Sequence, residues 1–495
     1  MGPVSTVGGG LAPPNIRDIR IKTTKEGHMS HNPVSHNRLS RRQFLRYLGA
    51  GTAGLVGGNL LSACVPPTPE VKVVKETVEV VKEVPKEITP TPAAPLMLTL
   101  WHHWGGTREP LLKKALDDFA ARNPGITVEP TLIPWDRKEE AVMTAVAAGQ
   151  APDVLMLNAA EMPPYAINNV LLPLDEWVTV AGITSNEVYD SDWKASFYNG
   201  KQWGLPQTVG GAACLLFYNT AAFEEAGLDP TNPPRTWAEM LSATKTLLKQ
   251  EGDKITRLGL GYIPDAWGWL NFLAQNDALW LSSDGREVKM NNDGAIEALQ
   301  FIVDISDAQG GAENIAAFMT AAGEADPFIS GRAAMTYQGV WQYFLIKTNA
   351  PDLPYMSTVA PNNKGPWHEA NYGPHLYTLP AGTKHVPEAW KLLLWLTRED
   401  GGCNFLMQQL RPSPWKKCTE ESPIAKVADY WPVVVEALNS ARSEPLTPLF
   451  NQFASIWNEM IERATRHQGA AAEVIMWASE EMRRANEEFW AKQEG

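Results

Sequence analysis

The sequence predicts an α/β protein of two lobes, and three observations predict it. At 495 residues the chain is longer than one ordinary core supports. Its first folded stretch alternates strand-length apolar runs with amphipathic helical ones, a βαβαβ order that implies a parallel sheet with right-handed crossovers. Farther on, a run of small residues joins two strands, which reads as a passage from one sheet to another through a flexible joint.

Met97–Trp101, MLTLW, is the first strand, and the amphipathic run Glu109–Arg122 is the first helix, stopped by Asn123-Pro124-Gly125. Ile126–Leu132 is the second strand, residues 137–148 the second helix, and Asp153–Leu157 the third strand. Ligands of such sheets sit beyond the carboxyl ends of the strands. The loops after Trp101 and Leu157 are therefore the informative ones, offering His102, His103 and Trp104, then Asn158 and Glu161, with Tyr165 at the next helix.

Asn199-Gly200 predicts a tight turn with positive φ at both residues. Thr208, Val209, Gly210, Gly211, Ala212 and Ala213 have so little bulk that the backbone is free to bend or to approach something closely. Leu215–Tyr218 is a buried strand, Asn219-Thr220 caps the helix Ala221–Ala226, and Thr236 with Glu239 three residues on forms a capping box.

In the second lobe, Leu260–Pro264 reads as a strand, Trp267-Gly268-Trp269 opens a helix, and Asp293–Ser306 is amphipathic. In FISGRAAMTYQGVWQ the strand is followed by Gly339 and then Trp341, so the Trp falls in a strand-end loop. The chain returns through Tyr355–Pro361, Tyr372-Gly373-Pro374-His375 and a helix over 381–397. Beyond it Trp431, Phe453 and Trp457 lie on apolar helical faces that suit a core.

The first 63 residues hold 8 Lys or Arg and 2 Asp or Glu, leaving 35 basic against 54 acidic residues, net −19, in the rest. So acidic a surface does not bind nucleic acid through phosphate neutralisation. Ser40-Arg41-Arg42-Gln43-Phe44-Leu45 forms a twin-arginine export signal, and the run from Tyr47 to Leu61 is too short and too rich in small residues to span a membrane. It ends in Leu61-Ser62-Ala63-Cys64, which looks like a lipobox with Cys64 as the lipid attachment site, and Met29 is as good a start as Met1. Residues 64–95, with VKVVKETVEVVKEVPKE between prolines, read as an extended tether.

The words YNG, WGLP, FYNTAAFEEAGL and PPRTWAE at 198–239, and FISGRAAMTYQGVWQ, stand in the order found in another group of proteins. From about Leu96 to the C-terminus the chain resembles extracellular solute-binding proteins of the sugar-carrying branch, maltose-binding-protein-like components of ABC importers. The resemblance implies a type II periplasmic-binding-protein-like fold, with a mostly parallel sheet in each lobe and a multi-segment hinge. The first lobe is expected over 96–206 plus about 357–396 and the second over 207–356 plus about 397–495. It implies a monomer that traps a small carbohydrate and hands it to permease subunits, with no cofactor.

A sugar has C–H faces that suit aromatic rings and hydroxyl edges that suit polar side chains. Trp267, Trp269 and Trp341 are the stacking candidates, and His103, Trp104, Asn158, Glu161, Gln207 and Arg411 the polar ones. Gly339, Tyr372 and Gly373 complete the expected site. Few Arg or Lys are visible in the strand-end loops, which favours a neutral sugar over an anionic ligand. The branch also accommodates polyols and glycerol phosphodiesters. A secreted glycoside hydrolase would use two carboxylates from among Asp153, Glu161, Asp175 and Glu176, candidates by position only. A metal or redox role finds its cysteines scattered and its adjacent His102-His103 pointing apart. Cys403 and Cys418 fit either a disulfide, with Cys214 free, or separate thiols.

Overall fold

The computed structural model describes residues 95–494 except 135–137, 253, 262–264, 324–325 and 372. Arg41, Arg42, Cys64, the tether and Tyr372 lie outside the described residues. In chain order the strands of the two main sheets are β1 (Leu96–His102), β2 (Ile126–Leu132), β3 (Val154–Asn158), β4 (Leu205–Pro206) and β5 (Leu215–Asn219). They continue with β6 (Lys249–Glu251), β7 (Lys254–Leu260), β8 (Ala333–Gln338), β9 (Tyr355–Thr358) and β10 (His375–Thr378). The helices used below are α1 (Glu109–Arg122), α2 (Lys138–Ala147), α3 (Trp237–Leu247), α4 (Ala266–Gln275), α5 (Asp293–Asp307), α6 (Trp341–Asn349) and α7 (Val386–Thr397).

The first sheet has the order β2-β1-β3-β10-β4, and the second β9-β5-β8-β7-β6. β1 pairs in parallel with β2 and β3, the register the βαβαβ order predicts. Strand β10 then joins antiparallel, setting His375 opposite Asn158. Both faces of this sheet are covered, which is why β3 is buried at every residue. Val154 and Met156 face a cluster with Phe119, Trp390 and Trp395, whereas Leu155 and Leu157 face Tyr165 and Trp203. Helix α1 contributes Leu112, Ala115, Leu116 and Phe119, one stripe at helical spacing.

The second sheet packs against α3, α4 and α5, where Trp237 stacks on Phe301 with ring centroids 4.4 Å apart. The Thr236–Glu239 capping box and the Asn219 cap form as expected. Asn199 and Gly200 have φ of 50° and 72° between two short antiparallel strands. Phe453 and Trp457 are fully buried and Trp431 nearly so.

Three differences from the sequence reading matter. The strand expected at Leu260–Pro264 instead runs over Lys254–Leu260, where Leu258 and Leu260 pair with Ala333 and Met335 of β8. The return expected near 357 comes later, since Tyr355–Thr358 pairs with β5 of the second sheet and the chain enters the first only at His375. The last crossing also lies beyond 397, for Phe405, Leu406 and Trp415 pack in the first sheet's core. Cys403 and Cys418 are joined in a disulfide, while Cys214 is free and buried.

The chain first passes between sheets through 207–214, and the close approach foreseen for its glycines is present. A Cβ on Gly210 would fall 2.0 Å from Asn371 Oδ1, and one on Gly211 2.7 Å from Ala441. The segment is held by two buried carboxylates. Asp192 Oδ1 accepts from Gly210 N at 2.8 Å and Asn371 Nδ2 at 2.7 Å. Glu369 Oε2 accepts from Ala213 N at 2.6 Å and Cys214 N at 3.3 Å.

Candidate functional site

A cleft of about 460 Å³ opens where the loops of the two sheets and the 208–214 segment converge. Its first-sheet wall begins with Trp104. The backbone N–H of Trp104 donates to His102 Nδ1 at 3.1 Å, closing a tight loop at the end of β1. Burial, then the neighbouring His103, lower the His102 pKa to about 4, so the ring is neutral at pH 7 and Nδ1 is able to accept. The indole of Trp104 is 5.1 Å from Phe405 and 5.6 Å from His375.

Arg411 lies between the walls. Its guanidinium is 5.5 Å from the Trp104 ring and 5.7 Å from the Trp341 ring, within cation–π range of both. The side chain is nine-tenths buried and its Nε has no partner. Arg108, at the start of α1, lies 5.7 Å from the Trp104 ring on the same wall. Burial, then the like charge of Arg108, push the Arg411 pKa down to about 9, which still leaves it charged at neutral pH.

On the second wall, β8 ends at Gln338 and α6 begins at Trp341. Trp341 Nε1 donates to Gln338 Oε1 at 3.0 Å, fixing the indole plane. Gly339 makes this pose feasible, because a Cβ there would fall 2.2 Å from the Trp341 ring. Helix α4 is capped by Asp265, whose Oδ1 accepts from Gly268 N at 2.9 Å. Trp267 and Asn271, one turn apart on α4, both face the cleft. Asn271 Oδ1 accepts from Ala370 N at 3.0 Å, and its buried Nδ2 has no partner.

Flat apolar faces, a caged cation and amide groups around one cleft suit a small polar solute with apolar faces. A sequence profile of bacterial extracellular solute-binding proteins matches residues 104–402, well over half of the chain. The chain belongs to that family.

Members of the family are solute-binding receptors, and this receptor's likenesses agree. It is 25% identical over 308 residues to a binding protein of Brucella abortus (strain 2308), covering 61% of this chain and 71% of that one. A second relative is the sn-glycerol-3-phosphate-binding periplasmic protein of Escherichia coli (strain K12), 26% identical over 185 residues, 36% of this chain and 41% of that one. The solved structure of CpMnBP1 with mannotriose bound superposes with a TM-score of 0.68, at 23% identity, over 78% of this chain and all of that one. The fold is thus the two-lobed type II periplasmic-binding-protein fold.

Of the residues singled out from sequence, Trp104, Asn158, Trp267, Gly373, Trp341 and Arg411 line the receptor's cleft. Asn158 spends its amide on structure: Nδ2 donates to Gly373 O at 3.0 Å and Oδ1 accepts from Ala160 N at 2.9 Å. Gly373, at φ +113°, allows this close approach. Gly339 does not line the cleft but makes room for Trp341. The placement of Trp269 corrects the expectation. Two residues along a helix turn the side chain through about 200°, so Trp269 enters the core when Trp267 faces the cleft.

His103, Glu161 and Gln207 also stand away from the cleft lining. His103 Nδ1 donates to Ile133 O at 2.9 Å, and Glu161 and Gln207 are buried beneath the loops. Asp153, a candidate of the hydrolase reading, accepts from Thr99 and Thr383 as a loop staple. Among the described lining residues, Asp265 is the one carboxylate. Reasoning from sequence missed Arg108, Asp265, Asn271, Tyr337, Gln338 and His375. Helical spacing from Trp267 points to Asn271, whereas His375 is placed by the antiparallel insertion of β10, which no local pattern announces. Among the described residues, no group of three or more His, Cys, Asp or Glu is placed to hold a metal ion, and no helix is long and apolar enough to cross a membrane.

Proposed function

We propose that this protein is an extracytoplasmic receptor that captures a carbohydrate in the cleft and delivers it to the permease of an ABC transporter. The observation that carries the reading is the layered arrangement of Trp104, Arg411 and Trp341 across the cleft, with Trp267 and Asn271 beside it. Indole faces match the C–H faces of a pyranose, and guanidinium and amide edges match its hydroxyls. The mannotriose bound to the structurally similar CpMnBP1 supports the same solute class. Trp341 and Trp267 stack on the sugar, and Asn271 Nδ2 donates to it.

Capture works through closure of the two lobes about the connecting segments, including 207–214, and the receptor itself hydrolyses nothing. Arg41-Arg42 directs export, and a lipid on Cys64 with the 64–95 tether holds a monomer at the outer face of the membrane. A thermal-shift screen of the full chain against mono-, di- and oligosaccharides, polyols and glycerol phosphodiesters tests the solute class. A rise with a carbohydrate supports the reading. A rise confined to glycerol phosphodiesters, or none at all together with turnover of a chromogenic glycoside, overturns it. Replacing Cys64 by Ser should release the protein from the membrane fraction, and retention there would remove the anchor.

A further inference from the structure

The charge distribution of the cleft goes further than the class of solute. Two arginines meet on the wall of Trp104, Arg411 at 5.5 Å and Arg108 at 5.7 Å from the same ring. Neither makes a salt bridge among the described residues, although arginines elsewhere are paired, as Arg398 is with Glu187 and Arg442 with Glu444. Asp265 is committed to the first turn of α4 and is joined to neither arginine. Of the other titratable side chains on the lining, His375 cannot become anionic, and burial pushes the Cys214 thiol and the Tyr337 phenol well up, so none adds negative charge at neutral pH.

Arg411 is nine-tenths buried between two indoles. Aromatic faces accept no conventional hydrogen bond from a guanidinium, and its Nε has no partner among the described residues. Holding a second cation beside such a group costs free energy that a bound anion would recover. The fall of the Arg411 pKa, caused first by burial and then by Arg108, points the same way. A ligand offering only hydroxyls would satisfy the donors but leave the like charges facing each other.

We propose that the carbohydrate accepted by this cleft bears an anionic group, a carboxylate or a phosphate, held jointly by Arg411 and Arg108 beside Trp104. This inference rests on the carbohydrate reading and narrows it to acidic sugars. It also reverses the preference for a neutral ligand drawn from the sequence, where Arg108 and Arg411 stand some three hundred residues apart and show no cluster.

The test is calorimetric titration of the full chain with matched pairs: galacturonate and digalacturonate against their methyl esters, glucuronate against glucose, and glucose 6-phosphate against glucose. The expected result is that an acid binds at least about tenfold more tightly than its neutral partner, as a charge-assisted hydrogen bond provides. The uronate and phosphate arms show which anion is preferred. Arg108→Gln, at a half-exposed position, should shrink the acid-to-neutral ratio about tenfold. Arg411→Lys, which keeps the charge and loses the planar fork, should shrink it less. Neutral members binding as tightly as the acids, or a ratio unchanged in both variants, would overturn the anionic assignment and leave the carbohydrate reading standing. Binding of no member, together with no carbohydrate raising the melting temperature in the thermal-shift screen, would overturn both.

Discussion

Two sets of ionisable groups lie within one site, and the protein treats them oppositely. Beneath the cleft, Asp192 and Glu369 are fully buried, and each turns an oxygen to backbone or amide N–H groups of the connecting segments. On the wall above, Arg411 and Arg108 lie against indoles and make no ion pair among the described residues. The carboxylates are occupied by the chain itself and hold the 210–214 segment in place. The arginines keep donors in reserve. An ionisable group whose partners are backbone amides is structural, whereas one whose partners are aromatic faces is available to a ligand.

The largest effect should come from the structural set. Replacing Glu369 by Ala removes the acceptor of two buried N–H groups and should cost about 3 kcal/mol, measured by urea unfolding. Arg108→Gln should change the same curve by less than about 0.5 kcal/mol. Equal losses in the two variants would erase the distinction.

On the wall, Trp341→Ala should weaken carbohydrate binding about thirtyfold while the midpoint of unfolding without ligand stays put. Its counterpart is Trp269, a core residue two positions from Trp267 on α4. Trp267→Ala should weaken binding about tenfold, roughly two-thirds of the free energy expected for Trp341, while Trp269→Ala acts on stability instead. Loss of binding at unchanged stability in Trp269→Ala would restore it to the site.

The carboxylates also predict an effect of pH. Burial raises the pKa of Asp192 to about 7 and that of Glu369 to about 8, against ordinary values of 3.8 and 4.5. The folded state therefore holds these protons more tightly than the unfolded chain does. Stability from this source is fully present below about pH 4 and is lost as pH rises to about 8. Thermal midpoints of Asp192→Asn and Glu369→Gln should fall less steeply than wild type over that window. An unchanged slope would mean that the two carboxylates titrate alike in folded and unfolded chain.

Most of the architecture was legible because it is locally encoded. The stripe in α1, the Thr236–Glu239 box and the Asn199-Gly200 turn each depend on residues a few positions apart. The crossings near 357 and 397 were misplaced because membership of Tyr355–Thr358 or Phe405 in one sheet or the other is decided by pairing and packing across the fold. Within the site the same division holds. Gly339 marked Trp341 as a strand-end loop residue, and in the structure its missing Cβ also leaves room for the ring. Arg108 and Arg411 were not legible as a pair, because the contact between them runs through Trp104. Trp269 was misread because two tryptophans in three residues suggest a cluster, whereas a helix sends them to opposite sides.

The central claim is that the wall of Trp104, Arg411 and Trp341 holds a carbohydrate. It is tested most directly by titrating the full chain and its Trp341→Ala variant, side by side, with the carbohydrate that most raises the wild-type melting temperature. The account predicts one-site binding to wild type and about thirtyfold weaker binding to the variant, with both unfolding at the same temperature in the absence of ligand. Equal affinities in the two proteins would contradict it.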